Sequence, residues 1–434
     1  MRWLQLGKRI GASFMSGIYR EWLGQRQVSH LGSNHGAAPV AFSDWYHFKE
    51  AFSPELVARA LASTARPTIC IDPFAGSGTT AVTCQMLGCA SHSIEVNPFL
   101  CDLAASKVAS YDIEKLTKAA AQLLDKAAAF KGVAPDELFS TLPKTFIEPG
   151  KKEHWVFNRD VASAVAAFVL ALEHEADPVN KRLIKTAIGA CLIPASNVLV
   201  NGKGRRYRRS WQTRRVSGDE FYDRVRMKLT KIINDVSRYS RYFKSEASIL
   251  HADARHAGHY VPEFDVAVFS PPYPNSFDYT DVYNVELWVL GYLRGRRDDR
   301  FLRARTLSSH VQISRAFAPP PAGSPILDET IEALELLRAK LWHKNIPAMI
   351  GSYFNELFTL VTQLMHKRRA GGSMWIVIGN SQYAGQEIRS AEIIAQLCSH
   401  YGISSCTLEE TRSMRNSPQQ GGQSRLSEYI MVLR

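Results

Sequence analysis

The sequence predicts an α/β fold, an open doubly wound sheet broken by a large helical insertion. Three observations predict it. Short apolar, β-branched runs at Thr68–Ile71 and Phe264–Phe269 end in turns rich in glycine or proline, as buried parallel strands do. Stretches with helical spacing follow the strands. The strand–helix alternation stops near residue 111 and resumes near residue 246, so two separated portions read as one sheet with its ligands at the carboxyl ends of the strands.

Taken in order, residues 1–40 form a basic N-terminal arm ending in a linker over Leu31–Pro39. Residues 41–110 hold the first half of the sheet domain. A strand at Thr68–Ile71 leads through a glycine turn to a helix at Thr79–Leu87; a strand at Ser91–Val96 precedes a helix at Pro98–Val108, opened by Asn97-Pro98. Residues 111–245 are the helical insertion, with helices at Ile113–Phe130, Val161–Glu173 and Lys181–Leu192. Residues 246–434 complete the sheet. Strands are expected at Ser248–Leu250, Phe264–Phe269 and, after a turn at Gly371-Gly372, Met374–Ile378; helices at Ser352–Lys367 and Ser390–His400; and a closing antiparallel ribbon from Thr407–Thr411 and Glu428–Leu433. Ala316–Pro325 is a Pro-rich loop.

Composition bounds the function. An apolar share of 45% and a charged share of 22% suit a soluble globular protein. No apolar run reaches the roughly 20 residues that span a bilayer, and Lys8 and Arg9 interrupt the N-terminal apolar residues, so a cytoplasmic protein with no membrane partner is expected. The seven cysteines are scattered without a Cys-x-x-Cys pair, which predicts reduced thiols and no metal site. A net charge of +12 favours a polyanionic partner.

Two segments carry chemistry. In Ile71-Asp-Pro-Phe-Ala-Gly-Ser-Gly-Thr-Thr80, Gly76 and Gly78 let the backbone turn sharply against a ligand. Glu95, ending the next strand, stands where a doubly wound fold presents an acid to ribose hydroxyls. The turn is not Gly-x-Gly-x-x-Gly, because Ala81 holds the third position, and no Gly-Lys-Ser/Thr makes it a P-loop. Dinucleotide binding and a plain strand-to-helix turn both compete at this point. In Val266-Ala-Val-Phe-Ser-Pro-Pro-Tyr273 a buried strand stops at Pro271 and Pro272, at the sheet edge where the fold puts its chemistry. Ser270 Oγ and the Pro271 carbonyl can accept the hydrogens of an amino group, and the Tyr273 ring can stack on a base. A turn with no catalytic role is the structural alternative.

Asp-Pro-Phe-Ala-Gly-Ser-Gly-Thr-Thr followed by Ile-Glu-Val-Asn-Pro closely resembles the cofactor-binding motif of bacterial DNA amino-methyltransferases, and Ser-Pro-Pro-Tyr resembles their catalytic tetrapeptide. The resemblance implies a class I methyltransferase (Rossmann-like) sheet and S-adenosylmethionine as cofactor. It implies that Asp72 and the turn Gly76, Ser77, Gly78, Thr79 and Thr80 hold the methionine part, that Glu95 binds the ribose, and that Phe74, Ala75 and Asn97 also belong to the cofactor site. Asp253 would face the adenine, although a solvated loop aspartate competes. His47-Phe-Lys-Glu-Ala-Phe-Ser-Pro-Glu-Leu-Val57 resembles the segment beside the cofactor's carboxylate, which carries His47, Phe52 and Pro54; a first amphipathic helix is its structural alternative. Ser270, Pro271, Pro272 and Tyr273 become the catalytic residues, acting on a base flipped out of the duplex.

The resemblance covers residues 42–108 and 246–290, with a weaker echo at Gly372–Asn380 and in the final ribbon. Serine in the tetrapeptide is commonest among cytosine-N4 enzymes. Its place after the glycine turn matches the group that includes many adenine-N6 enzymes. Cytosine N4 is favoured, adenine N6 is the alternative, and RNA or protein-glutamine methyltransferases and a catalytically dead nucleic-acid-binding module remain as rivals. No Pro-Cys nucleophile exists for cytosine-C5 chemistry. Implied partners are double-stranded DNA and a cognate restriction system.

The insertion contains Asn201-Gly-Lys-Gly-Arg-Arg-Tyr-Arg-Arg-Ser-Trp-Gln-Thr-Arg-Arg215, with seven cations, two aromatics and no acid. Lys203, Arg205, Arg206, Arg208, Arg209, Arg214 and Arg215 can clamp phosphates or read guanine, and Tyr207 or Trp211 can stack or wedge. The insertion is thus the candidate target-recognition region; a solvated charge run is the alternative. Arg296–Arg305 and the loop Arg415–Arg425 are second-rank DNA contacts.

Overall fold

A computed structural model describes residues 17–24, 26, 28–34, 40–65, 67–201, 204–243, 245–403, 405–415 and 425–434. Lys203, most of the 415–425 loop and residues 1–16 and 35–39 of the expected arm lie outside the described residues.

Among the described residues the strands are β1 (Ile69–Asp72), β2 (Ala90–Glu95), β3 (Val198–Asn201), β4 (Gly204–Tyr207), β5 (Ala247–His251), β6 (Phe264–Phe269), β7 (Arg368–Gly379), β8 (Ser381–Tyr383), β9 (Gln386–Ile388), β10 (Cys406–Arg415) and β11 (Arg425–Leu433). Seven of them make one sheet in the order β10-β11-β7-β6-β1-β2-β5. β5, β2, β1, β6 and β7 run parallel, and β11 lies antiparallel to both β7 and β10. The chain winds outward from β1 through β2 to β5, then returns to the other side of β1 with β6 and β7. Its switch point is between β1 and β6, where an open α/β sheet keeps its ligand crevice. This is the expected class I methyltransferase sheet, its parallel edge closed by an antiparallel ribbon.

Local chemistry explains the registers. β6 is buried along its length except at Asp265. The Oδ2 of Asp265 accepts from the Thr68 and Ile69 amides at 2.8 and 3.0 Å, pinning the foot of β1. The expected turn at Gly371-Gly372 is instead a kink inside β7: Gly371 has φ 76°, and a Cβ on Gly372 would lie 2.6 Å from the Asp265 carbonyl. The register with β6 shifts between Phe264 and Val266, so glycine here accommodates an irregularity of pairing and the strand continues through it.

Helices begin where their caps sit. The insertion helices α6 (Arg159–Leu172) and α7 (Pro178–Ala195) start earlier than periodicity alone predicts. Asn158 accepts from the Val161 amide, and Asp177 from the Val179 and Asn180 amides. The 22-residue helix α8 (Gly218–Tyr239), not expected from the sequence, opens at Ser217, whose hydroxyl accepts from the Glu220 amide. The insertion also carries the β3–β4 hairpin, so it is not wholly helical. In the 47–57 segment only Pro54–Ala62 is helical, and residues 47–53 are not.

Residues 17–24 are no free arm. Gly17–Leu23 is a helix whose Tyr19 and Trp22 are 1% and 4% exposed, and Trp22 Nε1 donates to the Ala41 carbonyl. All seven cysteines are free, six of them buried. Among the described residues no helix is long and apolar enough to cross a membrane.

Candidate active site

β1 and β6 are adjacent and parallel, with Cys70 opposite Val266 and Ile71 opposite Ala267. Their carboxyl ends therefore deliver the glycine turn and the Ser-Pro-Pro-Tyr segment to the same edge. Both line one cavity of about 480 Å³, a size ordinary for a small-molecule site. Phe52, Phe74, Ala75, Gly76, Ser77, Thr79, Glu95, Asn97 and Asp253 form one part of its wall, and Ser270, Pro271, Pro272 and Tyr273 another.

The turn is built for close approach. Gly76 and Gly78 have φ of 51° and 84°. A Cβ on Gly76 would lie 2.8 Å from the Phe48 ring, and one on Gly78 3.0 Å from Ala104 Cβ. Gly78 and Thr80 are not among the cavity-lining residues, nor are Asp72, Pro54 and the exposed His47. Asp72 is 1% exposed and braces the turn from within: Oδ1 accepts from the Phe74 amide at 2.9 Å and Oδ2 from Thr80 Oγ1 at 2.6 Å. Glu95 does the same across strands, taking the Gly76 amide on Oε2 and the Asn97 amide on Oε1, both at 2.8 Å. Asn97 Oδ1 caps the helix Pro98–Val108 while its Nδ2 is buried without a partner. Burial pushes the carboxyls of Asp72 and Glu95 up to about 7, outweighing these hydrogen bonds.

Asp253 is 6% exposed and paired with Arg255 at 2.6 Å. It is an ordered member of the cavity wall rather than a solvated loop residue. Pro271 and Pro272 turn the chain out of β6, and Tyr273, half-buried, donates its hydroxyl to Glu428 Oε1 at 2.8 Å.

Several wall residues were not singled out from sequence. Glu50 takes the Tyr283 hydroxyl at 2.9 Å, and burial pushes its carboxyl up. Arg412 and Glu428 come from the closing ribbon, and Ser309 and His310 from the segment after Arg296–Arg305. Beneath the turn Lys107, 4% exposed, donates to the Ser77 carbonyl at 2.7 Å, and burial pushes its ammonium down to about 7. The signal for Glu428 was a lone charge in the otherwise uncharged run Leu426–Leu433.

The basic segment divides. Arg208 donates to the Ser196 and Ile193 carbonyls and Arg214 to those of Ser196 and Pro194, capping the end of α7. Arg206, Arg209 and Arg215 are exposed. Tyr207, Trp211 and His154 pack together, with Trp211 stacked on His154 at 4.8 Å. Arg205 and Arg206 line a second cavity of about 500 Å³ with Ser276, Asp281, Gln312 and the half-exposed Trp342. The stretch 276–281 separates it from the first cavity, which Tyr279 and Thr280 face. In Arg296–Arg305, Arg303 pairs with the buried Asp278 at 3.2 Å.

Residues 19–106 match the family model described as DNA methylase. The type II methyltransferase M.AvaI, from a Nostoc species and from Anabaena variabilis, is 24% identical over 83% of this chain and 78% of its own length. M.BsoBI of Geobacillus stearothermophilus, also a type II methyltransferase, is 23% identical over 87% of this chain and 82% of its own. M.MjaII of Methanocaldococcus jannaschii is 38% identical over 24% of this chain and 20% of its own. With the sheet order and the two motifs at one edge, these matches make the chain similar to DNA amino-methyltransferases, with the family model itself covering residues 19–106.

Proposed function

We propose that the chain is a site-specific DNA methyltransferase that moves a methyl group from S-adenosylmethionine to an exocyclic amino group of a flipped base, cytosine N4. The observation that carries the reading is that Gly76, Ser77 and Thr79 line one cavity with Ser270, Pro271, Pro272 and Tyr273. The residues suit the cofactor: a glycine cradle a Cβ would fill, two buried carboxyls behind it, and an unpartnered Asn97 Nδ2 beside Glu95. When bound, S-adenosylmethionine supplies a methyl group on a sulfonium whose departure needs no metal or acid.

The protein's part is positioning. An aromatic amino group is a weak nucleophile because its lone pair is delocalised into the ring. Ser270 Oγ and the Pro271 carbonyl draw its two hydrogens, Tyr273 stacks on the ring, and most of the rate comes from aligning the two reactants. Flipping costs a few kcal/mol, and stacking returns about 1–3 kcal/mol.

DNA as the partner is supported by the family model, the net charge of +12 and the exposed arginines of the insertion beside the second cavity. A restriction nuclease of matching specificity would accompany it, as the type II relatives suggest. Adenine N6 is the second reading, favoured by the order of the motifs along the chain. Mass spectrometry of nucleosides from DNA incubated with the protein and labelled cofactor tests both. N4-methylcytosine is expected; N6-methyladenine would transfer the reading to adenine, and label only in RNA or protein would refute it.

A further inference from the structure

We propose that Glu428 and Arg412 are positioning residues that hold the Tyr273 ring in place for the target base; the inference rests on reading Ser270–Tyr273 as the grip on that base. Glu428 is 0% exposed and sits on a strand whose other inward residues are apolar. Its Oε1 accepts from the Tyr273 hydroxyl at 2.8 Å and from Arg412 Nη2 at 2.8 Å, and its Oε2 from Arg412 Nε at 2.7 Å. All three residues line the cavity.

A local irregularity makes this arrangement possible. β10 and β11 pair regularly to Glu410 opposite Tyr429, and the register then shifts so that Arg412, not Thr411, opposes Glu428. The extra residue turns the guanidinium onto the face where the carboxylate lies, as bulges beside active sites do. Thr411 is tied down by the N-terminal segment: its carbonyl accepts from His30 Nδ1 at 2.8 Å and its hydroxyl from the Gly32 amide at 3.4 Å. A Cβ on Gly32 would fall 2.2 Å from Glu428 Oε2, so the glycine lets this segment lie on the carboxylate.

A buried ion pair adds little net stability, since desolvation offsets the attraction. An apolar side chain would pack this strand equally well. What the pair provides is a charged acceptor fixed on two sides and bonded to the tip of the ring, and a hydrogen bond to a charged group is among the stronger ones.

The test is a double-mutant cycle on the full chain. Glu428→Gln keeps the shape and should lower kcat/KM for DNA by about tenfold or more, with cofactor affinity within about twofold of wild type. Tyr273→Phe should remove most of the same effect, so that the double variant is no worse than the poorer single variant by more than about twofold. A 2-aminopurine placed at the target position should fluoresce more brightly with Glu428→Gln, reporting a base no longer stacked. Arg412 is partly exposed and tests the pair without touching the strand core. Arg412→Met should share the defect, and Arg412→Lys, which keeps charge but not the fork, should partly restore activity. Additive losses in the cycle, or a Glu428→Gln protein as active as wild type, would overturn the inference. A wild-type protein that methylates no DNA would instead overturn the reading beneath it.

Discussion

At the residue scale the site rests on groups that burial has moved away from their usual chemistry. The carboxyls of Asp72 and Glu95 ordinarily titrate near 3.8 and 4.5, and burial raises both to about 7. A raised acid stabilises the folded state while it is protonated. Each therefore contributes stability below its unfolded value and loses it as pH climbs from about 4 toward about 7. A cationic ligand reverses the preference, because it favours the ionised carboxyls. Over that range the ligand-free protein should melt at progressively lower temperature, and affinity for S-adenosylmethionine should rise until the carboxyl is fully ionised, by roughly tenfold between about pH 6 and pH 8 for a carboxylate titrating near 7. Calorimetric binding across that range checks it. Asp72→Asn should flatten the affinity curve; an unchanged slope would show that neither effect comes from this group. Gly76→Ala should weaken cofactor binding as well, since its Cβ would strike the Phe48 ring at 2.8 Å in a backbone of φ 51°. The glycine turn was legible in sequence because its residue types are dictated by such backbone limits. The inward role of Asp72 was not, because two of its partners, the Phe74 amide and Thr80 hydroxyl, are local and invisible to a motif.

At the scale of elements, strand ends and helix runs were readable where hydrophobic period and punctuation agree. Phe264–Phe269, Pro98–Val108 and Ser390–His400 fall where expected, each with a proline or a sharp change of pattern at its boundary. The misses have physical causes. α8 has strongly mixed polarity and buries only one stripe, and its Ser217–Glu220 capping box lies inside a charge-rich stretch. The β3–β4 hairpin is only four residues a side and carries its arginines on strands. The same hairpin region yields a prediction, because composition alone cannot divide its arginines and geometry does. Arg208 and Arg214 cap the carbonyls ending α7, whereas Arg206 and Arg209 are exposed. Arg208→Ala or Arg214→Ala should cost about 1 kcal/mol of stability, seen as a lower melting temperature. Arg206→Ala and Arg209→Ala should leave melting unchanged, weaken DNA binding, and each reduce the slope of log affinity against log salt by about one. Equal effects of all four on DNA affinity alone would contradict the division.

At the scale of the whole molecule, the insertion looks separable in sequence yet shares its core with the sheet. One continuous apolar cluster runs from Tyr19, Phe42 and Trp45 through Phe99 and Leu103, which flank the sheet. It continues into Leu116, Phe168, Leu183 and Phe221 of the insertion and on to Val285 and Leu287. Two contacts show how tight the join is. A Cβ on Gly189, in α7, would lie 2.5 Å from the Phe99 ring, and Asp235 of α8 accepts from the Phe42 amide and Trp45 Nε1 at 2.9 Å. Helices that approach this closely leave no second surface at which either part could be capped by water. We infer that residues 111–245 and the flanking halves unfold together. Calorimetry should show one transition, and cofactor, which the proposed function seats at the sheet edge, should raise the temperature at which Trp155 and Trp211 of the insertion lose their packing. Gly189→Val, which drives a branched side chain into Phe99, should lower that single transition and weaken cofactor binding together. Two transitions, only one of them responsive to cofactor, would mean that the insertion is an independent module riding on the sheet; in that case its arginines would be expected to bind DNA when residues 111–245 are expressed alone.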